Sequence, residues 1–318
     1  MHDAGDRNHR ILHMLRPAGL PVPESFGADT TAVPTPGPGQ FLSRTLYLSI
    51  DPAISLNQAD VVGGETVAQV LESRHPDHRP GEFVVVRNGW QQFALSSGQG
   101  VRHLDPDRAP ISTALGVLGL PGLLGYSGLI YIGQPRPGQT VLVSDPTGPI
   151  GCTAGQAARI VGARAVGIAS SAEKCAYAVS QLGFAACISL GDDIRRVCPE
   201  GVDVYFDTIG GDDLARALAC LAPHARVVLA GAGEAYNTGP SLAGLLSSRA
   251  TVQAIVVEDH LHRLAELEKV VGSWIRSAVF HYREDLVEGL AAAPEAYCRV
   301  MRGEHFGKVL VRVAPEHL

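Results

Sequence analysis

The sequence predicts an α/β protein in which a β-rich N-terminal region precedes a doubly wound parallel sheet. Three observations carry that prediction. From Gln139 onward, apolar runs of strand length alternate with segments of helical periodicity, the pattern of βαβ units in a parallel sheet with helices on both faces. Residues 9–118 instead hold short strand candidates separated by turn signals, as in a small sandwich or barrel. The tail ends in another strand candidate, Phe306 to Val313, which reads as a return to the first region.

In the first region Pro21, Pro23, Pro34, Pro36 and Pro38 punctuate an extended start. Phe41 to Asp51 alternates and then runs apolar, and Glu65 to Ser73 is a second strand candidate. Glu82 to Ser97 reads as two strands about an Arg-Asn-Gly turn, the signal of a tight hairpin. Ala109 to Gly133 switches to helical spacing. Within it Ile111 to Ile132 carries no charge but is broken by Pro121 and five glycines, so a buried helix pair at a domain junction is predicted rather than a membrane span. The second region follows as strands at 139–145, 164–170, 186–190, 202–207, 225–231 and 250–257. Helices are expected at 149–161, 172–182, 212–221 and near 241–249, with an amphipathic helix from His260 to Ser277. Two domains result: residues 1–118 completed by 280–318, and residues 119–279.

Composition narrows the function. With 26 Lys and Arg against 32 Asp and Glu, the formal charge is −6; no basic block stands out, so nucleic acid is not an expected partner. MHDAGDRNHR has no apolar core or cleavage site, so a cytoplasmic protein is expected. The six cysteines show no C-x-x-C and no zinc spacing with a histidine, so neither a metal nor a disulfide framework is expected.

The stretch Gln139 to Lys174 is the organising motif. Val141, Leu142 and Val143 form a doubly buried strand, Ser144 to Gly148 make the turn, and Pro149 fits the first helical position, where a missing N–H costs nothing. A helix starting there aims free N–H groups and its positive dipole end at the turn, where a pyrophosphate can sit. Gly148 and Gly151 permit close approach there, alongside Pro149 and Ile150. Asp145 is out of place, because a carboxylate beside a pyrophosphate is repulsive. A βα turn that binds nothing is the plain alternative. The second strand ends in Ala169-Ser170-Ser171 with Lys174 soon after, where NAD sites commonly place an acid. Two hydroxyls and a cation suit a 2′-phosphate, and therefore NADPH; a solvated lysine in a first helical turn is the alternative.

Several segments together resemble a family. LYLSIDP (46–52), GWQQFAL (89–95), LGVLGLPGLLGYSGLIYIG (115–133), GIASSAEKCAYAVSQLGF (167–184), GVDVYFDTIGG (201–211), YREDLVEGLAAAPEAY (282–297) and FGKVLVRV (306–313) are similar to segments of the zinc-independent medium-chain dehydrogenase/reductases. They resemble the prostaglandin reductase/alkenal-one oxidoreductase branch in particular. The resemblance implies a GroES-like β domain and a Rossmann domain, often in a homodimer. It implies NADPH-dependent reduction of the carbon–carbon double bond of an apolar enone or enal. It also implies that Lys174 contacts the 2′-phosphate and that the loop Ala230, Gly231, Ala232 to Asn237 lies along the cofactor with Tyr236. By the same resemblance Ile255, Val256 and Val257 stand beside the nicotinamide, and Thr208 and His305 take cofactor-contacting places.

The chain departs from the family pattern at several of these places. Leu190 replaces a tyrosine that reaches the 2′-phosphate, Thr208 and His305 replace asparagines, and Ala53-Ile54-Ser55 replaces tyrosine-methionine-arginine. These changes leave open a redox-neutral enzyme, a cyclase or isomerase, on the same scaffold. For proton donation in the reductase the candidates are Tyr47, Tyr126, Tyr236 and His305.

Overall fold

The structure, a computed structural model, describes residues 7–14, 19–52, 60–231, 236–237 and 241–316. The first strands are β1 (Arg7–His13), β2 (Phe26–Ala32), β3 (Phe41–Ser49), β4 (Thr66–Ser73), β5 (Phe83–Val86), β6 (Phe93–Ser96) and β7 (Arg102–Leu104). A 3-10 turn, Ile111–Leu115, precedes helix α1 (Leu120–Ser127), which runs into a π-helical turn, Gly128–Gly133. There follow β8 (Thr140–Ser144), α2 (Pro149–Ile160), β9 (Arg164–Ala169), α3 (Ala172–Ser180), β10 (Ala186–Ser189), β11 (Val202–Asp207) and α4 (Gly211–Leu218). After them come β12 (Leu221–Leu229), α5 (Ala243–Ser248), β13 (Thr251–Ala254) and α6 (Leu264–Arg276). The chain closes with β14 (Glu284–Glu288), α7 (Ala293–Met301) and β15 (Lys308–Arg312).

Two compact units emerge: Met1–Leu115 with Glu284–Leu318, and Gly116–Arg283. The first is built on an antiparallel core sheet ordered β14-β15-β3-β4-β5-β7, with β6 on β3 and β1-β2 as a separate hairpin. In this sheet β15 pairs antiparallel with β3, and β14 parallel with β15. Leu48, Ile50, Val62, Trp90, Tyr297 and Val311 form one core here, in which Trp90 stacks on Phe26 and meets Tyr297 edge-on.

The expected hairpin across Glu82 to Ser97 does not form. β5 pairs with β4 and β7, while β6 pairs with β3. The reason lies in the segment between them. Asn88 is buried and donates to the hydroxyls of Ser43 and Thr45. Gly89 sits at φ +68 with a Cβ position only 2.6 Å from the Val62 carbonyl oxygen, so only glycine fits. Trp90 is fully buried. Packing against β3 and Val62 thus outcompetes the local turn.

The second unit is a six-stranded parallel sheet ordered β10-β9-β8-β11-β12-β13. Numbered from β8, that is the order 3-2-1-4-5-6 of a doubly wound dinucleotide-binding sheet, whose crevice opens where the order reverses, between β8 and β11. Leu142, Val166, Ile168, Tyr205, Leu214 and Val227 form its core. The uncharged stretch from Ile111 is cut into the 3-10 turn, α1 and the π turn. Pro121 stands in the first turn of α1, and no helix among the described residues is long and apolar enough to cross a membrane. Boundaries shift from those expected: the helix anticipated to 221 ends at Leu218, and β12 begins at Leu221 rather than 225. The strand anticipated at 250–257 ends at Ala254, and the helix anticipated from His260 begins as a 3-10 turn, Val257–Arg263, with α6 after it.

Candidate cofactor and active site

At the carboxyl end of β8 the chain turns through Asp145, at φ +48, into α2. Gly148 is the N-cap of α2, Pro149 occupies its first turn, and no side chain caps it. Helix geometry therefore leaves the N–H groups of Ile150 and Gly151 without intrahelical acceptors, facing the positive end of the dipole. A Cβ on Gly151 would stand 2.2 Å from the Asp145 carbonyl oxygen, so this glycine lets helix and strand close up. A Cβ on Gly148 would stand 2.2 Å from Asp145 Oδ2; the carboxylate therefore lies over the N-cap. An anion there stabilises α2 and opposes a second anion.

Across the switch point, Asp207 at the end of β11 is fully buried. Its carboxylate accepts from the hydroxyls of Tyr205 at 2.6 Å and Ser144 at 3.3 Å, and from the Gly210 N–H at 3.0 Å. Ser144 Oγ accepts the Thr208 N–H at 2.7 Å and lies 3.1 Å from Thr208 Oγ1. The ends of β8 and β11 are thus tied together by side chains, and the loop leaving β11 is fixed. Tyr236 joins the same network: its hydroxyl accepts the Gly231 N–H at 3.1 Å and donates to the Asp207 carbonyl at 3.4 Å. Burial, then Asp207, raises its pKa. Ala230 takes up the strand-end bond, its N–H donating to the Asp207 carbonyl.

At the end of β9, Ser171 caps α3 by accepting the Lys174 N–H. Lys174 is only 8% exposed, and its Nζ donates to Ser170 Oγ at 3.0 Å. A cation and a hydroxyl are therefore preassembled where the sequence places the 2′-phosphate. Leu190 is 39% exposed and its N–H bonds the Ala169 carbonyl, which holds this residue at the end of β9. Ile255 is buried, Val257 half-buried and Val256 exposed.

The remaining candidates are engaged elsewhere. In the first unit Tyr47 donates to the Glu316 carboxylate; burial, then this bond, raises its pKa. His305 is half-buried in the turn before β15. In the second unit Tyr126 and Tyr131 both donate to Glu266 Oε1, at 2.9 and 2.5 Å. Arg263 pairs with the other carboxylate oxygen at 3.4 Å and lies 3.6 Å over the Tyr131 ring. This cluster clamps α1 to α6. The structure therefore gathers Gly148, Pro149, Ile150, Gly151, Thr208, Ala230, Gly231 and Tyr236 at one end of the sheet, with Ser170 and Lys174 at the adjacent strand end. Tyr126 sits in the helix clamp, and Tyr47 and His305 belong to the other unit. Ala232 and Ala53, Ile54 and Ser55 lie outside the described residues.

Sequence reading missed Ser144, Tyr205 and Asp207 as a network, and the pairing of Lys308 with Asp51. Lys308 is 5% exposed; its Nζ donates to the Ile50 carbonyl at 3.1 Å and to the Asp51 carboxylate. The signal was present: Asp51 lies in LYLSIDP and Lys308 in FGKVLVRV, two segments that carry the family resemblance.

Comparison with known proteins matches these units. The family described as "N-terminal domain of oxidoreductase" matches residues 9–104, and that described as "Zinc-binding dehydrogenase" matches residues 149–273. The chain is 38% identical to the NADPH-dependent curcumin reductase of Escherichia coli, over 97% of each chain. It is 32% identical to prostaglandin reductase 1 of Rattus norvegicus, over 92% of this chain and 95% of that one. The crystal structure of CurA in complex with NADPH from Vibrio vulnificus superposes with a TM-score of 0.89 at 35% identity, covering 96% of this chain and 99% of that one. The chain belongs to the zinc-independent medium-chain dehydrogenase/reductases, in the branch of the curcumin and prostaglandin reductases.

Proposed function

We propose that this protein uses NADPH to reduce the carbon–carbon double bond of α,β-unsaturated ketones and aldehydes. The observation that carries the reading is the switch point of a 3-2-1-4-5-6 sheet holding an uncapped helix N-terminus, with Lys174 and Ser170 preassembled at the neighbouring strand end. These residues fit the cofactor. Ile150 and Gly151 offer N–H donors to a pyrophosphate, and Pro149 presets the helix start. Lys174 and Ser170 offer a cation and a hydroxyl to a 2′-phosphate, which an acid at this place would repel. Thr208, Ala230, Gly231 and Tyr236 border the same crevice, and Ile255, Val256 and Val257 follow the next strand end.

Bound NADPH supplies a hydride, which goes to the β-carbon of the substrate. The protein's task is then to hold the double bond in line, stabilise the enolate oxygen and let a proton reach the α-carbon. Tyr47, Tyr126 and Tyr236 already donate their protons to Glu316, Glu266 and the Asp207 carbonyl. We therefore assign them to positioning and place the final protonation with water, with His305 as the remaining side-chain candidate. A homodimer is supported by β13, an outer strand whose four residues are all exposed. Leu242, Leu246, Val252 and Val256 are exposed around it; such an edge invites pairing with a second copy. A reducing, cytoplasmic setting suits six free thiols.

The test is to follow NADPH absorbance with a panel of enones and enals. The reading predicts oxidation only when both are present, and much weaker use of NADH. Binding of NADPH without oxidation, while a substrate is cyclised or isomerised, would replace it with the redox-neutral alternative.

A further inference from the structure

We propose that His78, Glu82 and His103 form a binding site for a divalent transition-metal ion, Zn2+ in the first instance. The three residues come from separate places in the first unit: His78 from the turn after β4, Glu82 from the residue preceding β5, and His103 from β7. One ligand atom of each lies within 4.8 Å of the others. His78 is only 5% exposed, and its Nδ1 is buried without a hydrogen-bond partner among the described residues, a costly state that an ion in contact with the ring relieves.

The surroundings are set up for a ligand of this kind. Glu82 Oε2 accepts the Arg79 N–H at 2.9 Å and lies 3.4 Å from His103 Nδ1, so the carboxylate is aimed by the backbone, as a supporting hydrogen bond should aim a metal ligand. The His78 and His103 rings lie 4.8 Å apart, and the His75 ring 4.7 Å from His78. His75 Nδ1 accepts the Asp77 N–H at 3.1 Å. That nitrogen is already engaged, so His75 walls the site rather than ligating. Bonds of about 2.0–2.1 Å to a tetrahedral ion bring ligand atoms to roughly 3.3 Å from one another. The closure falls to His103, whose side chain is half exposed. A water fills the fourth position.

The site lies beside Phe41, whose ring is 4.6 Å from His78. The three ligands come from the β4–β5 connection and β7, so the ion's role is structural: it pins the β4–β5 turn to β7. The cysteine-centred reading of the sequence passes over it, although His78 with Glu82 four residues on is a legible ligand spacing.

The experiment uses the untagged full chain, stripped with a chelator and dialysed against buffered micromolar zinc chloride, with bound metal measured by mass spectrometry. Wild type should hold one ion per chain. His103→Ala at the surface and Glu82→Gln should weaken binding by roughly tenfold or more, and both should keep enone reduction. Cobalt(II) should give a spectrum without the near-ultraviolet thiolate band. No bound ion in wild type, equal binding in wild type and both variants, or a thiolate band from the free cysteines would each overturn the proposal.

Discussion

Replacing Lys174 by methionine separates the two contributions its side chain can make. The residue is 8% exposed, and Nζ makes one hydrogen bond, to Ser170, at 3.0 Å. Methionine keeps the apolar reach of the stem and removes the cation. In the free enzyme the change loses one hydrogen bond, about 1 kcal/mol, and relieves a cation held largely away from water. The melting temperature should therefore stay within about 3 °C. With NADPH the loss is a charge-assisted contact to the 2′-phosphate, about 1.5–3 kcal/mol, so the dissociation constant should rise roughly 10- to 150-fold. NADH has no such group, and its affinity should change by less than about twofold. Calorimetric titration with both nucleotides, with thermal melts of the free proteins, reads all three quantities. Equal weakening of NADPH and NADH, or a fall of about 10 °C in melting temperature, would show that Lys174 supports the fold and not the phosphate.

The remaining predictions concern the helix start, the clamp and the tyrosines. Asp145→Asn tolerates φ +48 and removes the carboxylate over the N-cap of α2; NADPH should bind about fivefold tighter while stability falls by about 0.3–1 kcal/mol. Titration and melts showing neither change would place the carboxylate away from the phosphates. Burial would raise the Glu266 carboxyl, but hydrogen bonds from Tyr131 and Tyr126 and the Arg263 charge outweigh it and hold the pKa low. A carboxyl depressed by folding stabilises fully above its unfolded value of about 4.3 and loses that contribution as pH falls through the folded value. Glu266→Gln should thus be less stable than wild type at neutral pH, by about 1–2 kcal/mol, and the gap should close in acid; a pH-independent gap contradicts the assignment. Tyr126→Phe should cost about 1 kcal/mol of stability and leave turnover within about twofold, because its hydroxyl hydrogen is already bonded to Glu266. A loss of turnover of about a hundredfold would restore Tyr126 as a proton donor.

The second unit was largely legible because parallel sheets are buried on both faces. Val141 to Val143 and Val202 to Asp207 read as strands without reference to partners. Pro149 and the serines before Lys174 mark helix starts locally. Non-local packing was not legible. Asn88-Gly89 carries a strong hairpin signal, yet Asn88 is spent on Ser43 and Thr45, some forty residues earlier in the chain. The same holds for the candidate site. Lys174 and Ser170 are four residues apart and could be paired on paper. Ser144 and Asp207 meet only because β8 and β11 are neighbours across the crossover. Asp145 looked like a flaw in the phosphate turn; the structure shows a carboxylate seated on the helix end.

The central claim is hydride transfer from NADPH to carbon, and an isotopic measurement tests it most directly. The enzyme is given an enone and NADPH deuterated at both C4 positions of the nicotinamide, and the product is analysed by mass spectrometry and NMR. The account predicts one deuterium per saturated product, at the β-carbon, with the α-hydrogen drawn from water and one NADPH consumed per turnover. A transformed product free of deuterium, with NADPH intact, would contradict it.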